Sequence, residues 1–264
     1  MLKTLFIILP LILIILYSCS PQVNTENFGP DEYFEYAKKL FDKGKYLKAQ
    51  TEFTIIVLKY SGDPVVDDAQ YYLAESHFKQ REFIIAISEY QKLINDYPES
   101  PYVPLSQFKR ALSYQKMSAR AELDQVYTKK AIKEFQNFIE EYPTHELKEN
   151  AEKYINELRE KLARKKMMSA TTYRKIGIYD AAIIYYDIIL EDYYDTSPAV
   201  NALFWKGICY YDLKKYIEAR VTFSTFIEKY PNHRYSRKAK KSVEKITKKL
   251  SSLELDEKLN SEND

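Results

Sequence analysis

Apolar residues recur at helical spacing along most of the chain, and they do so in paired runs. One run extends from Asp67 to Gln80 and another from Phe83 to Ile94, with Arg81 and Glu82 between them, which predicts two antiparallel helices joined by a tight turn. Ala74 and Ala86 are small where the two helices must cross closely, while Phe83 and Tyr90 fill the volume beside them. Pro98 ends the second run, because proline has no N–H to donate and crowds the preceding turn.

The same frame recurs five times. Taking Ala86 as reference, its equivalents are Ala49, Ala131, Ala182 and Ala219. Three residues earlier stand Tyr46, Phe83, Thr128, Tyr179 and Tyr216; four later stand Phe53, Tyr90, Phe135, Tyr186 and Phe223; eleven later stand Tyr60, Tyr97, Tyr142, Tyr193 and Tyr230. Proline follows the last tyrosine at Pro98, Pro143 and Pro231, with Ser61 and Tyr194 as departures. This order resembles the tetratricopeptide (TPR) repeat, although the reference alanines are 37, 45, 51 and 37 residues apart, against about 34 for the usual motif. The third unit is stretched between Met117 and Thr128 by about eight residues. In the fourth, Glu146 to Arg174 contains neither Gly nor Pro and reads as one long helix or two short ones end to end. A final run, Ser236 to Leu250, puts Ala239, Val243, Ile246 and Leu250 on one stripe and would cover the apolar face of the last repeat. Seven lysines and arginines surround that stripe, and a surface for an acidic partner or anionic lipid head groups is the sharper reading. The expected fold is all-α, an α-solenoid of about five TPR-like helix pairs over residues 31–250 with a C-terminal capping helix and a polar tail at 251–264.

The first eighteen residues differ in kind. Lys3 precedes an apolar segment from Leu5 to Leu16, too short to span a bilayer comfortably but suited to a signal-peptide core. The Leu16-Tyr17-Ser18-Cys19 sequence resembles a bacterial lipobox, which implies cleavage before Cys19 and lipid attachment to it. Ser20 follows the cysteine, without an acidic cluster, and by resemblance to lipoprotein sorting this favours the outer membrane, facing the periplasm. Residues 19–30 read as a flexible, lipid-anchored tether.

Composition narrows the function. A net charge of +2 on a chain of 264 residues argues against nucleic acid as the main partner. His77, His145 and His233 stand far apart and outside any metal-binding motif, so no metal or other cofactor is expected. Neighbouring carboxylates such as Glu140 and Glu141 diverge on a helix, so nothing reads as a catalytic site and the chain is not expected to be an enzyme. Cys209 reads as a small core side chain.

A lipobox followed by tight, tight, stretched, long-helix and tight repeats, with Asp124 and Gln125 ahead of Ala131 in the enlarged third unit, resembles the BamD family of outer-membrane β-barrel assembly lipoproteins. The resemblance implies a periplasmic scaffold that binds the POTRA region of a BamA-like barrel protein through its C-terminal half and receives unfolded outer-membrane proteins in its N-terminal repeats. By TPR position, Phe34, Lys38 and Phe41 in the first unit and Tyr71, Glu75 and Phe78 in the second would face that peptide-binding groove, though each could equally be inter-helix core. The competing class is a TPR lipoprotein scaffold for another cell-envelope process, peptidoglycan-linked or Tol-linked.

Overall fold

The computed structural model describes residues 24–261, so the leader and Cys19 lie outside the described residues. Those residues form eleven α-helices: α1 Pro30–Asp42, α2 Tyr46–Lys59, α3 Val65–Lys79, α4 Phe83–Asp96, α5 Val103–Met117, α6 Val126–Glu141, α7 Lys148–Lys175, α8 Tyr179–Asp192, α9 Ser197–Asp212, α10 Tyr216–Lys229 and α11 Ser236–Ser261. The chain is an all-α TPR-like repeat protein, its helices following one another in a repeat arrangement with α11 after the last repeat. It divides into two compact units at the turn between α3 and α4.

In the first unit α1, α2 and α3 pack on one another. Their core holds Ala37, Ala49, Phe53, Ile56 and Ala69, all fully buried. The segment before α1 is fastened to this unit: the Tyr60 hydroxyl donates to the Phe28 carbonyl at 2.6 Å, and the Phe28 ring meets Tyr33 and Tyr36 edge-on.

In the second unit each helix from α4 to α11 packs on the next, and α7 also touches α9. The reference alanines Ala131, Ala182 and Ala219 have no exposed surface, and neither do the aromatics four residues on, Phe135, Tyr186 and Phe223. Gly207 shows why the crossing residue is small. A Cβ there would lie 2.8 Å from the ring of Phe223, which is itself fully buried. The covering helix α11 lays Ala239 and Ile246 against Phe204, Phe223 and Phe226, with Val243 and Leu250 alongside.

A left-handed residue stands five positions before the reference alanine in four of the five pairs: Gly44 (φ 71°), Arg81 (φ 65°), Gly177 (φ 82°) and Lys214 (φ 61°). That conformation lets the chain reverse within two or three residues, and only glycine adopts it without cost. The third pair does without it, because its connection is longer. There Gln125, buried, donates from its amide to the carbonyls of Arg120 and Leu123 at 2.7 and 2.9 Å and accepts from Thr128 at 2.7 Å. Thr128 also bonds Ser118, which explains why a small polar residue stands where the other pairs carry an aromatic ring.

Where the run Glu146 to Arg174 left one helix or two open, there is one: α7, 28 residues from Lys148 to Lys175. Its middle, from Arg159 to Lys165, is a brace. Lys161 and Lys165 donate to the Ser118 hydroxyl at 2.7 Å and the Leu123 carbonyl at 2.5 Å, which holds the insertion. Arg159 reaches the Asp192 carbonyl at 2.8 Å and pairs with Asp195 at 2.6 Å, and Glu160 accepts from the Ser197 backbone at 2.9 Å. The two missing prolines do not lengthen their helices. α2 and α8 both end one residue before the repeat-frame tyrosine, at Lys59 and Asp192, as the proline-stopped α4 and α10 do.

Three outcomes are expected in thermal unfolding. Lys214→Gly should hold or raise stability by up to about 1 kcal/mol, whereas Gly177→Ala, with open space where the new Cβ would stand but a left-handed backbone, should lose about 1–2 kcal/mol. Gly207→Ala should cost about 1–3 kcal/mol through its clash with Phe223, and an unchanged melting temperature would show that α9 and α10 can part there.

Candidate peptide-binding site

Phe34, Lys38 and Phe41 recur at i, i+4 and i+7 of α1 and so share one helix face. The first unit brings that face against α3, where Tyr72 becomes the centre of an aromatic cluster. Its ring lies 5.8 Å from Phe34, 5.3 Å from Phe41 and 5.7 Å from Phe53, the last stacked and the others edge-on. Tyr46 closes the far side against Phe41 at 5.2 Å. Such ring pairs each contribute about 0.5–1.5 kcal/mol beyond the area they bury.

The Lys38 ammonium sits 4.9 Å from the centre of the Tyr72 ring and 2.5 Å from Asp42, one helical turn along. Burial of its stem disfavours the charge, but the Asp42 hydrogen bond, together with the nearby Tyr72, Asp42 and Glu35, outweighs that and holds the pKa above the usual lysine value. Burial likewise raises the Tyr72 phenol, against the Lys38 charge. The Lys38 side chain keeps 25% of its surface and Asp42 keeps 54%, so the ion pair is reachable from solvent and is worth little by itself. An incoming carboxylate can therefore take the place of Asp42 on a cation already aligned over an aromatic face.

The remaining candidates are placed differently. Tyr71 and Glu75 are buried, at 6% and 5% exposure, because the i, i+4 stripe they share is turned about 100° from Tyr72 and is covered. Phe78 is half-buried, as are Phe34 and Phe41. Tyr72 itself was the residue missed by repeat position. The signal for it lay in the small buried neighbours at i−3 and i+4, Ala69 and Ser76, which mark its side of α3 as a packing face.

In the second unit, α6, α7 and α8 frame a cleft of about 420 Å³ whose walls include Lys129, Leu162, Lys165, Tyr185 and Tyr193. His145 and His233 are turn residues: each accepts a backbone N–H two residues on through Nδ1 and rests edge-on against a core phenylalanine, Phe138 or Phe226. Cys209 is buried in the core, and burial pushes its thiol up to about 12. Among the described residues no helix is long and apolar enough to cross a membrane.

The YfiO family model, described as outer membrane lipoprotein, matches residues 27–216, and a tetratricopeptide-repeat model matches residues 201–233. Several curated relatives carry the name outer membrane protein assembly factor BamD. The one from Rickettsia prowazekii is 27% identical over 196 residues, covering 74% of this chain and 78% of the relative. The one from Caulobacter vibrioides is 26% identical over 129 residues, 49% of this chain and 42% of the relative, so the match spans less than half of that protein. The one from Xylella fastidiosa (strain 9a5c) is 22% identical over 204 residues, 71% of this chain and 68% of the relative. With a family model running from the segment before α1 to the start of α10, this chain belongs to the YfiO family of outer membrane lipoproteins.

Proposed function

We propose that this protein is an assembly factor for outer-membrane β-barrel proteins, held on the periplasmic face of the outer membrane by lipid on Cys19. The names of the curated relatives support the assembly role, and the family description supports the outer membrane. The lipobox at Leu16 to Cys19, outside the described residues, supports the anchor. Two or more acyl chains hold a protein on a bilayer far more stably than one.

The observation that carries the substrate reading is the Lys38 ammonium poised over Tyr72 beside the half-buried Phe34 and Phe41. An extended segment at the end of an unfolded barrel protein presents apolar side chains on one face and a carboxylate at its terminus. The rings offer a wall for the first, and Lys38 a partner for the second. Tyr72 replaces the buried Tyr71 and Glu75 in this reading of the wall. Docking to the POTRA region of a BamA-like barrel protein is assigned, by family resemblance, to the segment from about Tyr154 onward, where the α6–α7–α8 cleft presents Lys165 and Tyr193.

Phe34→Ala together with Lys38→Glu should weaken crosslinking of a labelled barrel-protein C-terminal peptide at least tenfold, or ~1.4 kcal/mol. Co-purification of the barrel partner should persist in the same variant. Retained peptide crosslinking with lost co-purification would reverse the assignment of the two regions. Separately, Cys19→Ala should move the protein from the membrane pellet to the soluble fraction after a high-salt wash, and a variant that still pellets would place the anchor elsewhere.

A further inference from the structure

We propose that the outward face of α11 is a docking surface for anionic phospholipid head groups. From Ser236 to Leu250 this helix carries Arg237, Lys238, Lys240, Lys241, Lys245, Lys248 and Lys249 against a single acid, Glu244. Its apolar stripe, Ala239, Val243, Ile246 and Leu250, is spent on the core of the last repeat. At 3.6 residues per turn the cations sweep the remaining half of the helix surface, and Arg237, Lys241 and Lys248 stand opposite the stripe.

The cations divide by what they already touch. Lys238 rests over Phe204 and Trp205, and Lys245 over Tyr211 at 5.1 Å. Arg237, Lys240, Lys241, Lys248 and Lys249 are exposed, and among the described side chains no carboxylate comes within ion-pair distance of them. At the start of the helix Arg237 and Lys240 share with Arg234 a depression of about 470 Å³. Covering the last repeat explains the stripe and the seats of Lys238 and Lys245; it does not call for the five other cations.

The kind of anion follows from what the face lacks. Protein interfaces centre on buried aromatic and apolar anchors and are poor in lysine. Between Ser236 and Leu250 no large apolar side chain is exposed, so a folded acidic partner would find charge but no anchor. A sheet of phosphate head groups needs no anchor, since each lysine or arginine near it contributes independently through a field that salt screens. The chain belongs to a family of outer membrane lipoproteins, so such a surface lies within its reach. The inference rests on that residence and not on the peptide site.

The test uses the mature chain with Cys19→Ser, so that no acyl chain contributes, sedimented with phosphatidylcholine vesicles or with the same vesicles containing phosphatidylglycerol. Binding is expected to the second and not the first, and to fall steeply as salt rises. Arg237→Gln, Lys241→Gln and Lys248→Gln together should weaken it roughly a hundredfold, while the charge-keeping Lys241→Arg and Lys248→Arg variant should bind as the wild type does. Equal sedimentation with both vesicle types, binding indifferent to salt, or a triple variant that binds as the wild type would each overturn the proposal. So would wild-type protein that ignores phosphatidylglycerol vesicles yet is retained on immobilised polyglutamate through the same three residues, which would make the partner an acidic polypeptide. Because the anchor is absent throughout, none of these outcomes bears on Cys19.

Discussion

The array depends on one steric constraint: the two helices of a pair approach so closely that only a hydrogen or a methyl group fits at their crossing. Gly207 against Phe223 is its tightest instance, with no room for a Cβ, and the fully buried alanines at the other pairs are milder ones. Once that approach is fixed, the large aromatic four residues after the reference alanine has one place to go, and the helix ends follow. The left-handed residue five positions earlier is the backbone counterpart of the same constraint. Arg81 and Lys214 adopt it as well, at the conformational cost that glycine avoids.

The two irregular repeats compensate each other. An insertion in the third pair removes the tight turn and leaves a connection with many backbone groups to satisfy, and the middle of α7 supplies part of what is needed through Lys161 and Lys165. The opposite edge of the same helix, Arg159 and Glu160, fixes the turn between α8 and α9. Arg159 also holds the Asp195 carboxyl below its ordinary pKa, chiefly through their hydrogen bond. Partly exposed pairs of this kind each contribute only about 0–1 kcal/mol, so their effect lies in geometry: they set the position of two connections on one rigid element.

Much of this is legible in the amino-acid sequence. Periodicity named the reference alanines, the paired helices, the insertion and the covering helix, because each obeys a spacing rule that close packing enforces. The candidate wall was less legible. Helical spacing identified Phe34, Lys38 and Phe41 as one face, yet it could not say which side of α3 would meet them. That side proved to be Tyr72, while Tyr71 and Glu75 went to the interior. A side chain's azimuth on α3 depends on how α3 seats against α1 and α2, a tertiary fact that repeat position does not carry. The choice between a long helix and two short ones at Glu146 to Arg174 was open for a similar reason, since nothing local distinguishes a bracing helix from a broken one.

In the proposed peptide site a terminal carboxylate meets Lys38 beside the Phe34, Phe41 and Tyr72 rings. The most direct measurement compares the affinity of one barrel-protein C-terminal peptide with a free carboxylate against the same peptide amidated at its end. A charge-assisted hydrogen bond contributes about 1.5–3 kcal/mol, so the free acid should bind at least tenfold more tightly, with the resonances of Lys38 and Tyr72 shifting on its addition. Equal affinity for the two peptides, or tight binding that leaves those resonances unmoved, would contradict it.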